Sequence, residues 1–263
     1  MKKNHNFTKS DIIKQLKKSG IQKDDSIFIH SNIGFFGRLE NAKNSEEYCE
    51  IFKDAIFNVI GDNGTLIVPT FSLSFCNNQI FDKQQTLSFE CGILSEFIRQ
   101  QKNSERSDDA NFSVCAIGAK SNYFTNKVSE YSFGRDSFWD RLWQKNGKIC
   151  RFNMSPDYNT FIHFVERKLN VPYRYDKEFR GISIIDGKKV ERKYYHFVYD
   201  LDNPSLVPDL SKLEQKCKEL GFLHTEVLGK GQIVVISTKD VYNIINNEIK
   251  KDLNFLVKGN DKT

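Results

Sequence analysis

The stretch Ser26-Ile-Phe-Ile-His-Ser-Asn-Ile-Gly-Phe-Phe-Gly-Arg38 joins a short apolar run to a loop with two glycines. The run Ser26–His30 has the length and the branched and aromatic side chains that are typical of a β-strand. A helical segment precedes it, opened by Thr8 with Asp11 three residues on and closed by Gly20. A second helical segment follows the loop, so the stretch is the first unit of an alternating α/β pattern.

The same alternation continues along the chain. Further strands are predicted at Thr65–Phe71, Phe112–Gly118, Lys148–Asn153, Lys189–Tyr199 and Ile233–Ser237. Further helices are predicted from Ser45 as N-cap to Gly61, and at Gly92–Gln101, Asp136–Lys145, Thr160–Leu169, Asp209–Gly221 and Thr238–Leu253. This pattern predicts an α/β fold with a mixed central sheet flanked by helices and a more antiparallel C-terminal part. We expect a single domain over 1–263, with a core at 8–185, a C-terminal part at 186–254 and a disordered tail at 255–263.

Composition excludes several classes of protein. Of the 263 residues, 39% are hydrophobic and 28% are charged, and the 5 prolines and 15 glycines are too few for a low-complexity chain. The apolar stretches are far shorter than the roughly 20 residues of a membrane-spanning helix, and the N-terminus has no apolar core of a secretory signal. We therefore expect a cytoplasmic protein with no membrane span and with its 6 cysteines reduced. No Cys/His spacing fits a zinc site, so we expect no metal.

The net charge of +5 favours anionic partners. Lysines concentrate near both ends of the chain: Lys2, Lys3, Lys14, Lys17, Lys18, Lys250, Lys251, Lys258 and Lys262. Solvated helix faces are the commoner origin of such runs, and a basic nucleic-acid-binding protein is the alternative from another functional class.

The predicted helix Thr160–Leu169 carries the strongest candidate site. Thr160, His163 and Glu166 stand at positions i, i+3 and i+6, so they share one helix face. A carboxylate beside an imidazole raises its basicity and fixes its tautomer, which suits a general base. From the spacing alone, a surface His–Glu ion pair is the commoner outcome.

The loop after His30 is a second candidate. Its backbone N–H groups could converge on a phosphate or a developing oxyanion, and Gly34 and Gly37 would permit close backbone approach. The spacing is not that of a dinucleotide-binding fingerprint, and most glycines that follow a strand simply turn the chain.

Three further positions have weaker contexts. Asp109 follows Asp108 in a polar segment that could hold a cationic amine or form a solvated turn. Tyr175 belongs to an aromatic-rich stretch, 173–199, that could stack on a sugar ring or pack in a core. His196 lies in an alternating aromatic strand, where a packed histidine is expected. None of the cysteines has a visible activating partner.

The order of these segments resembles the aminoglycoside 3-N-acetyltransferase family. Six blocks fall in order over about residues 10–185: a strand with His30-Ser31, then Gly37, Gly64-Thr-Leu-Ile-Val-Pro-Thr-Phe71, Arg106-Ser107 to Ser113-Val-x-Ala-x-Gly118, Phe133-Gly-x-Asp-Ser137 and Thr160-x-x-His163-x-x-Glu166. The C-terminal part matches only in general character.

The resemblance implies an α/β fold distinct from the GNAT acetyltransferases, acetyl-CoA as acyl donor and a primary amine of an amino sugar as acceptor. It implies that the helix with His163 and Glu166 carries the catalytic base. Our hypothesis is direct transfer in a ternary complex, in which His163, oriented by Glu166, takes the proton and no covalent acyl-enzyme is required. The expected CoA-binding residues are His30, Ser31, Asn32, Gly34, Gly37, Ser113 and Val114. Asp157 is counted with His163 and Glu166 among the catalytic residues, and both Asp157 and Asp109 are candidates for gripping the acceptor amine. Asp109, Thr160 and Tyr175 are expected to bind the acceptor. We expect these substrates as the only partners, no nucleic acid, and a monomer or homodimer.

The chain departs from the drug-modifying members at two places. Those typically have His-Ser-Ser where this chain has His30-Ser31-Asn32, and Arg-Ser-x-His-Pro-x-His-Ser where this chain runs from Arg106 to Ser113. Because a polycationic drug suits a basic protein poorly, we expect a nucleotide-linked amino sugar of surface glycan biosynthesis as acceptor, with an aminoglycoside, and hence antibiotic resistance, as the alternative. Carboxylates in the cleft would indicate the drug, whereas Arg and Lys would indicate the sugar nucleotide. An inactive protein that keeps the fold is a further alternative, although both His163 and Glu166 are retained.

Overall fold

A seven-stranded mixed sheet forms the centre of the computed structural model, which describes residues 5–199 and 206–258. The strands are β1 Ser26–Ser31, β2 Thr65–Pro69, β3 Phe81–Asp82, β4 Glu105–Arg106, β5 Val114–Gly118, β6 Lys148–Phe152, β7 Arg174–Ile185, β8 Lys188–Tyr199, β9 Val207–Pro208, β10 His224–Leu228, β11 Gly231–Ser237 and β12 Val257–Lys258. The central order is β10-β11-β6-β1-β2-β5-β4, in which β6, β1 and β2 are parallel and the strands on either side are antiparallel. The expected α/β class with a mixed central sheet is confirmed.

Helices cover both faces of this sheet. They are α1 Lys9–Lys18, α2 Ser45–Ile60, α3 Ile93–Arg99, α4 Ser121–Thr125, α5 Phe138–Gln144, α6 Phe161–Lys168, α7 Ser211–Glu219 and α8 Thr238–Ile249, with a 3₁₀ helix at Ile33–Phe36. The first three pack on one face and the other five on the opposite face. No helix within the described ranges is long and apolar enough to cross a membrane.

Alternation along β1 explains why the central strands are apolar throughout. Ile27 and Ile29 belong to the core beneath α1–α3, whereas Phe28 belongs to the core beneath α4–α8. Successive side chains of a strand point to opposite faces, so a strand covered on both faces must be apolar at nearly every position.

The helix starts follow local side-chain chemistry. Thr8 and Asp11 form the capping box that the sequence predicts, with the Asp11 backbone N–H donating to the Thr8 hydroxyl. The second helix is capped by Asn44 and not by Ser45, because the Asn44 side chain accepts from the backbone N–H of Glu47 at 2.8 Å.

A long hairpin is the largest element that the sequence pattern missed. β7 and β8 pair antiparallel from Arg174↔Tyr199 to Ile185↔Lys188, and β3 pairs parallel with β7 to complete a three-stranded sheet. The pattern indicates only β8, because β7 carries charges on both faces and shows no apolar alternation.

The expectation of a disordered tail at 255–263 is wrong for its first four residues. Phe255, Leu256 and Val257 are buried in the core beneath α4–α8, and β12 pairs with β9. Apolar burial outweighs the usual fraying of a chain end here. Residues 259–263 lie outside the described residues.

Candidate active site

Several predicted site residues meet at one edge of the central sheet. The parallel strands β6, β1 and β2 end there, and the antiparallel strand β5 begins there, with Pro69 of β2 opposite Val114. His30 is the penultimate residue of β1, and its ring lies 6.2 Å from that of Phe71, just beyond β2. The ring of Phe71 in turn lies 5.2 Å from that of Phe112, just before β5. Ligands of α/β sheets bind at the carboxyl ends of the parallel strands, so this edge is the expected place for a site.

His30 contacts the start of the candidate catalytic helix. Its Nε2 lies 3.2 Å from Oγ1 of Thr160, which immediately precedes α6. Burial, together with the neighbouring Arg151 guanidinium, lowers the pKa of His30 to about 3. The imidazole is therefore neutral across the ordinary pH range, and it ties the end of β1 to α6.

His163 and Glu166 come together on α6 as the spacing predicts. His163 Nδ1 lies 3.7 Å from Glu166 Oε2, a distance within an ion pair but longer than a hydrogen bond. The His163 side chain is 33% exposed, whereas that of Glu166 is fully buried. A solvated surface pair is thus excluded, because the carboxylate lies inside the protein.

Arg174 is the partner of Glu166 that sequence reasoning missed. Its Nε lies 2.8 Å from Glu166 Oε2, and the Tyr173 hydroxyl donates to Glu166 Oε1 at 3.1 Å. Arg174 also donates to the backbone carbonyl of Phe197, and its guanidinium stacks on the Tyr199 ring. The carboxylate is therefore shared among a guanidinium, a phenol and an imidazole.

The environment of His163 corrects the expected direction of its pKa. Burial lowers the pKa of His163 below its ordinary 6.5, Glu166 raises it, and the positive charge of Arg174 lowers it again. The net direction is downward, because desolvation penalises the imidazolium more than the shared carboxylate favours it. A lowered pKa leaves His163 as a free base at neutral pH.

Aromatic rings form a continuous wall beside His163. The Phe133 ring lies 5.0 Å from the His163 ring, edge to face, and 5.1 Å from that of Phe112. Phe112 also lies edge to face against His196, at 4.8 Å. Phe71 and Phe112 are only partly buried, so part of this wall faces solvent.

The loop after β1 borders a cavity of about 320 Å³. Gly34, Gly37, Arg38, Lys43, Tyr48 and Ile93 are among the residues that line it. A Cβ on Gly34 would meet no atom within 4 Å, so the loop is open at that point. Gly37 has φ +93°, a conformation that favours glycine. Asn32 is exposed, and Ser31 is buried with no hydrogen-bond partner for its hydroxyl.

The structure contradicts direct CoA contacts for Ser113 and Val114. Both residues are fully buried, so neither has surface that a ligand could touch. The Ser113 hydroxyl donates to the Thr70 carbonyl at 2.7 Å and accepts from Arg106 Nε at 3.1 Å. These two residues therefore belong to the buried interior at the start of β5.

Two predicted acceptor-binding residues are placed differently from expectation. The Asp109 carboxylate is buried and accepts from the backbone N–H groups of Asn111 and Phe112 and from the Ser132 hydroxyl, so it is not free to hold an amine. Tyr175 is 46% exposed and follows Arg174 on β7, so it points to the face opposite the Arg174–Glu166 pair. The structure therefore does not bring Tyr175 to His163.

Asp157 is an exposed carboxylate in the loop between β6 and α6. It accepts a hydrogen bond from the Ser155 hydroxyl at 3.2 Å and precedes Thr160 by three residues. This position leaves its charge available to a cation in solution.

Burial makes the cysteines poor nucleophiles. Cys76 does have a histidine neighbour, contrary to expectation, since its Sγ lies 4.0 Å from His196 Nδ1. Burial nevertheless raises the pKa of Cys76 to about 11. Within the two described ranges, no group of three or more His, Cys, Asp or Glu side chains could hold a metal ion.

Comparison with known proteins gives one family. A family model described as "Aminoglycoside 3-N-acetyltransferase" matches residues 28–250. A Bacillus subtilis (strain 168) protein described as "SPbeta prophage-derived aminoglycoside N(3')-acetyltransferase-like protein YokD" is 22% identical over 209 residues, which cover 71% of this chain and 74% of that protein.

Solved structures with the same fold include two acetyltransferases with bound molecules. The binary complex of AAC-IIIb with CoASH has a TM-score of 0.80 at 19% identity and covers 93% of this chain and 97% of its own. A histidine-to-alanine mutant of AAC(3)-IVa in complex with a gentamicin has a TM-score of 0.79 at 19% identity and covers 97% of this chain and 93% of its own. At this identity the likeness shows the fold.

These findings favour the aminoglycoside alternative over the nucleotide-linked sugar that we expected. The family description and the relatives' names refer to aminoglycosides, and none of them refers to a sugar nucleotide. The net charge of +5 misled the expectation because it sums the whole surface, including lysines at both ends of the chain, and does not describe the cleft.

Proposed function

The chain belongs to the aminoglycoside 3-N-acetyltransferase family, and from this membership we propose that it transfers an acetyl group from acetyl-CoA to a primary amine of an aminoglycoside-type amino sugar. The observation that carries the proposal is the His163–Glu166 pair: a partly exposed imidazole whose Nδ1 faces a fully buried carboxylate. A general base needs access to its substrate and a group that orients it, and this pair has both.

The donor side is assigned to the loop after β1. The cavity there combines Arg38 and Lys43, whose charges suit phosphate groups, with Leu39, Tyr48 and Ile93, which suit an apolar linker. Gly34 leaves room for a ligand to approach the loop backbone closely. These features support the 31–38 loop as the place for acetyl-CoA.

His163 is assigned the proton transfer. Its Nδ1 is buried toward Glu166, so Nε2 is the nitrogen left to meet the acceptor. As the amine nitrogen forms its bond to the thioester carbon, Nε2 takes one of its protons. The carbon–sulfur bond then breaks, and the proton goes to the departing sulfur. Because His163 is already a free base at neutral pH, no prior deprotonation of the enzyme is needed.

The acceptor side is assigned to the approach to α6. Thr160 presents a hydroxyl group one turn before His163 on the same helix face. Asp157, exposed in the preceding loop, supplies a carboxylate for a further ammonium group of a polycationic sugar. A charge-assisted contact of this kind would orient the acceptor without taking part in the bond changes.

The proposal is tested with purified protein, acetyl-CoA and a panel of aminoglycosides that includes gentamicin and sisomicin. Thiol release and product mass are measured, with the His163→Ala variant as control. We expect one acetyl group per acceptor molecule, dependence on His163, and a raised inhibitory concentration of the same drugs for bacteria that express the protein. Failure of every drug to accept an acetyl group, together with absence of CoA binding by calorimetry, would contradict the proposal.

A further inference from the structure

His196 is a buried titratable group beside the proposed site that the acetyl transfer does not yet use. It lies on β8 with only 3% exposure. Its ring is held between Phe112, edge to face at 4.8 Å, and Phe179, stacked at 4.6 Å. Phe112 contacts the ring of Phe133, which in turn contacts the ring of His163.

The hydrogen bonds of Asn111 determine which tautomer His196 adopts. Asn111 Oδ1 accepts from the backbone N–H groups of Phe75 and Cys76 at 2.8 and 3.0 Å. The Asn111 NH₂ group must therefore face His196, whose Nε2 lies 3.0 Å from Nδ2. An amide NH₂ can only donate, so Nε2 must accept and the ring proton must sit on Nδ1, facing Cys76 Sγ.

The same contact penalises protonation of His196. An imidazolium has an N–H at both nitrogens, so two donors would face each other at Asn111 within a buried site. The charged and titratable groups around the ring are Asp109 on the 107–113 segment, Cys76 on the segment after β2, His163 on α6, and Lys177 on β7, which acts on Cys76. Burial lowers the pKa of His196, Asp109 raises it, and the positive charge of a protonated His163 lowers it.

We propose that His196, held as the neutral Nδ1–H tautomer by Asn111, is a positioning residue for acetyl transfer. His196 holds Asn111 by a hydrogen bond and Phe112 by ring contact, and it thereby fixes the aromatic wall beside His163. In that wall Phe112 contacts Phe133, and Phe133 contacts His163. Protonation of His196 breaks the bond to Asn111 and releases that wall, so transfer requires two neutral histidines. This inference rests on the proposed function and adds a second group to it.

The pH profile of kcat/KM for the acceptor separates this role from a merely structural one. Each histidine that must be neutral adds about one to the slope of log(kcat/KM) against pH on the acid side of the profile. Because the glutamine of His196→Gln does not titrate, the acid limb of the wild type should be steeper by about one than that of His196→Gln. The glutamine offers a carbonyl oxygen to Asn111 Nδ2, so its rate above the acid limb should stay close to that of the wild type. His196→Ala, which offers no acceptor, should lose acceptor kcat/KM while its KM for acetyl-CoA stays the same.

A matched control and a second measurement keep the test decisive. His224→Gln replaces an exposed histidine on β10, at the far end of the sheet order, and should change neither slope nor rate. Side-chain ¹⁵N NMR of the wild type should show His196 as the Nδ1–H tautomer at neutral pH, whether or not a variant folds. An Nε2–H or doubly protonated ring, or equal slopes in wild type and His196→Gln, would overturn the positioning role alone. A wild type that acetylates no amine would remove the proposed function as well, whatever the tautomer.

Discussion

Arg174 Nε lies 2.8 Å from Glu166 Oε2, and these two side chains are only 3% and 0% exposed. The pair joins the first residue of β7 to the last turn of α6, so it locks the β7–β8 hairpin to the helix that carries His163. Glu166 therefore has two tasks. It holds β7 against α6 through Arg174, and in the proposed mechanism it orients the imidazole of His163, 3.7 Å from the same oxygen.

Replacing Arg174 by methionine should destabilise the protein strongly. The variant leaves the Glu166 carboxylate buried without its cation, and breaking a buried pair in this way costs about 3–5 kcal/mol. Arg174→Lys, which keeps the charge, should lose less. The free energy of unfolding, measured by chemical denaturation, checks this.

Arg167→Met is the matched control for that experiment. Arg167 pairs with Asp176 at 2.8 Å, again between α6 and β7, but both side chains are about a quarter to a third exposed. An exposed pair contributes about 0–1 kcal/mol. If both arginine variants lost the same free energy of unfolding, burial of the Arg174–Glu166 pair would not add to its contribution to stability.

His163→Ala should keep CoA binding and lose most of the acetyl transfer. General-base catalysis typically contributes about 100- to 10,000-fold, so the loss should fall in kcat. Lys168→Ala, an exposed position on the same helix, is the control and should turn over like the parent. Steady-state kinetics and CoA calorimetry measure both effects. A His163→Ala variant as fast as the parent would remove the catalytic assignment.

The central sheet and the helix faces could be predicted because they follow local patterns. Runs such as Thr65–Pro69 are apolar at nearly every position, as strands covered on both faces must be. Thr160, His163 and Glu166 share one face because helical geometry depends only on their spacing. These features need no knowledge of what packs against them.

The rest of the site depends on tertiary contacts that no local pattern records. Arg174 stands in the charged strand β7, and only the fold brings it to Glu166. Asp109 resembles a free carboxylate in the sequence, but the turn that it caps consumes its hydrogen-bonding capacity. The same holds for His196, whose partner Asn111 is 85 residues away in the chain.

The acid limb of the pH–rate profile should lie below pH 6.5. Burial lowers the pKa of His163, so the active, neutral base persists to lower pH than an ordinary imidazole would. Glu166→Gln removes the anion that raises this pKa and leaves the positive charge of Arg174, so its limb should move to still lower pH. Profiles of kcat/KM for both proteins test the sign, after circular dichroism has shown that each stays folded. A limb that moves to higher pH in Glu166→Gln would contradict this electrostatic account.

None of the cysteines should be needed for the transfer, and Cys76 is the decisive case because its Sγ lies 4.0 Å from His196 Nδ1. Its pKa of about 11 leaves roughly one thiol in ten thousand ionised at pH 7, too few for an efficient nucleophile. His196 cannot activate it, since Nε2 is occupied by Asn111 and the Nδ1–H that faces the sulfur is a donor. Cys76→Ser keeps an acceptor for that N–H and should retain the parental rate within about twofold. Intact-mass spectra of the wild type quenched during turnover should show no acetylated protein. An acetyl thioester trapped at Cys76, and lost in the serine variant together with activity, would replace direct transfer by a covalent mechanism.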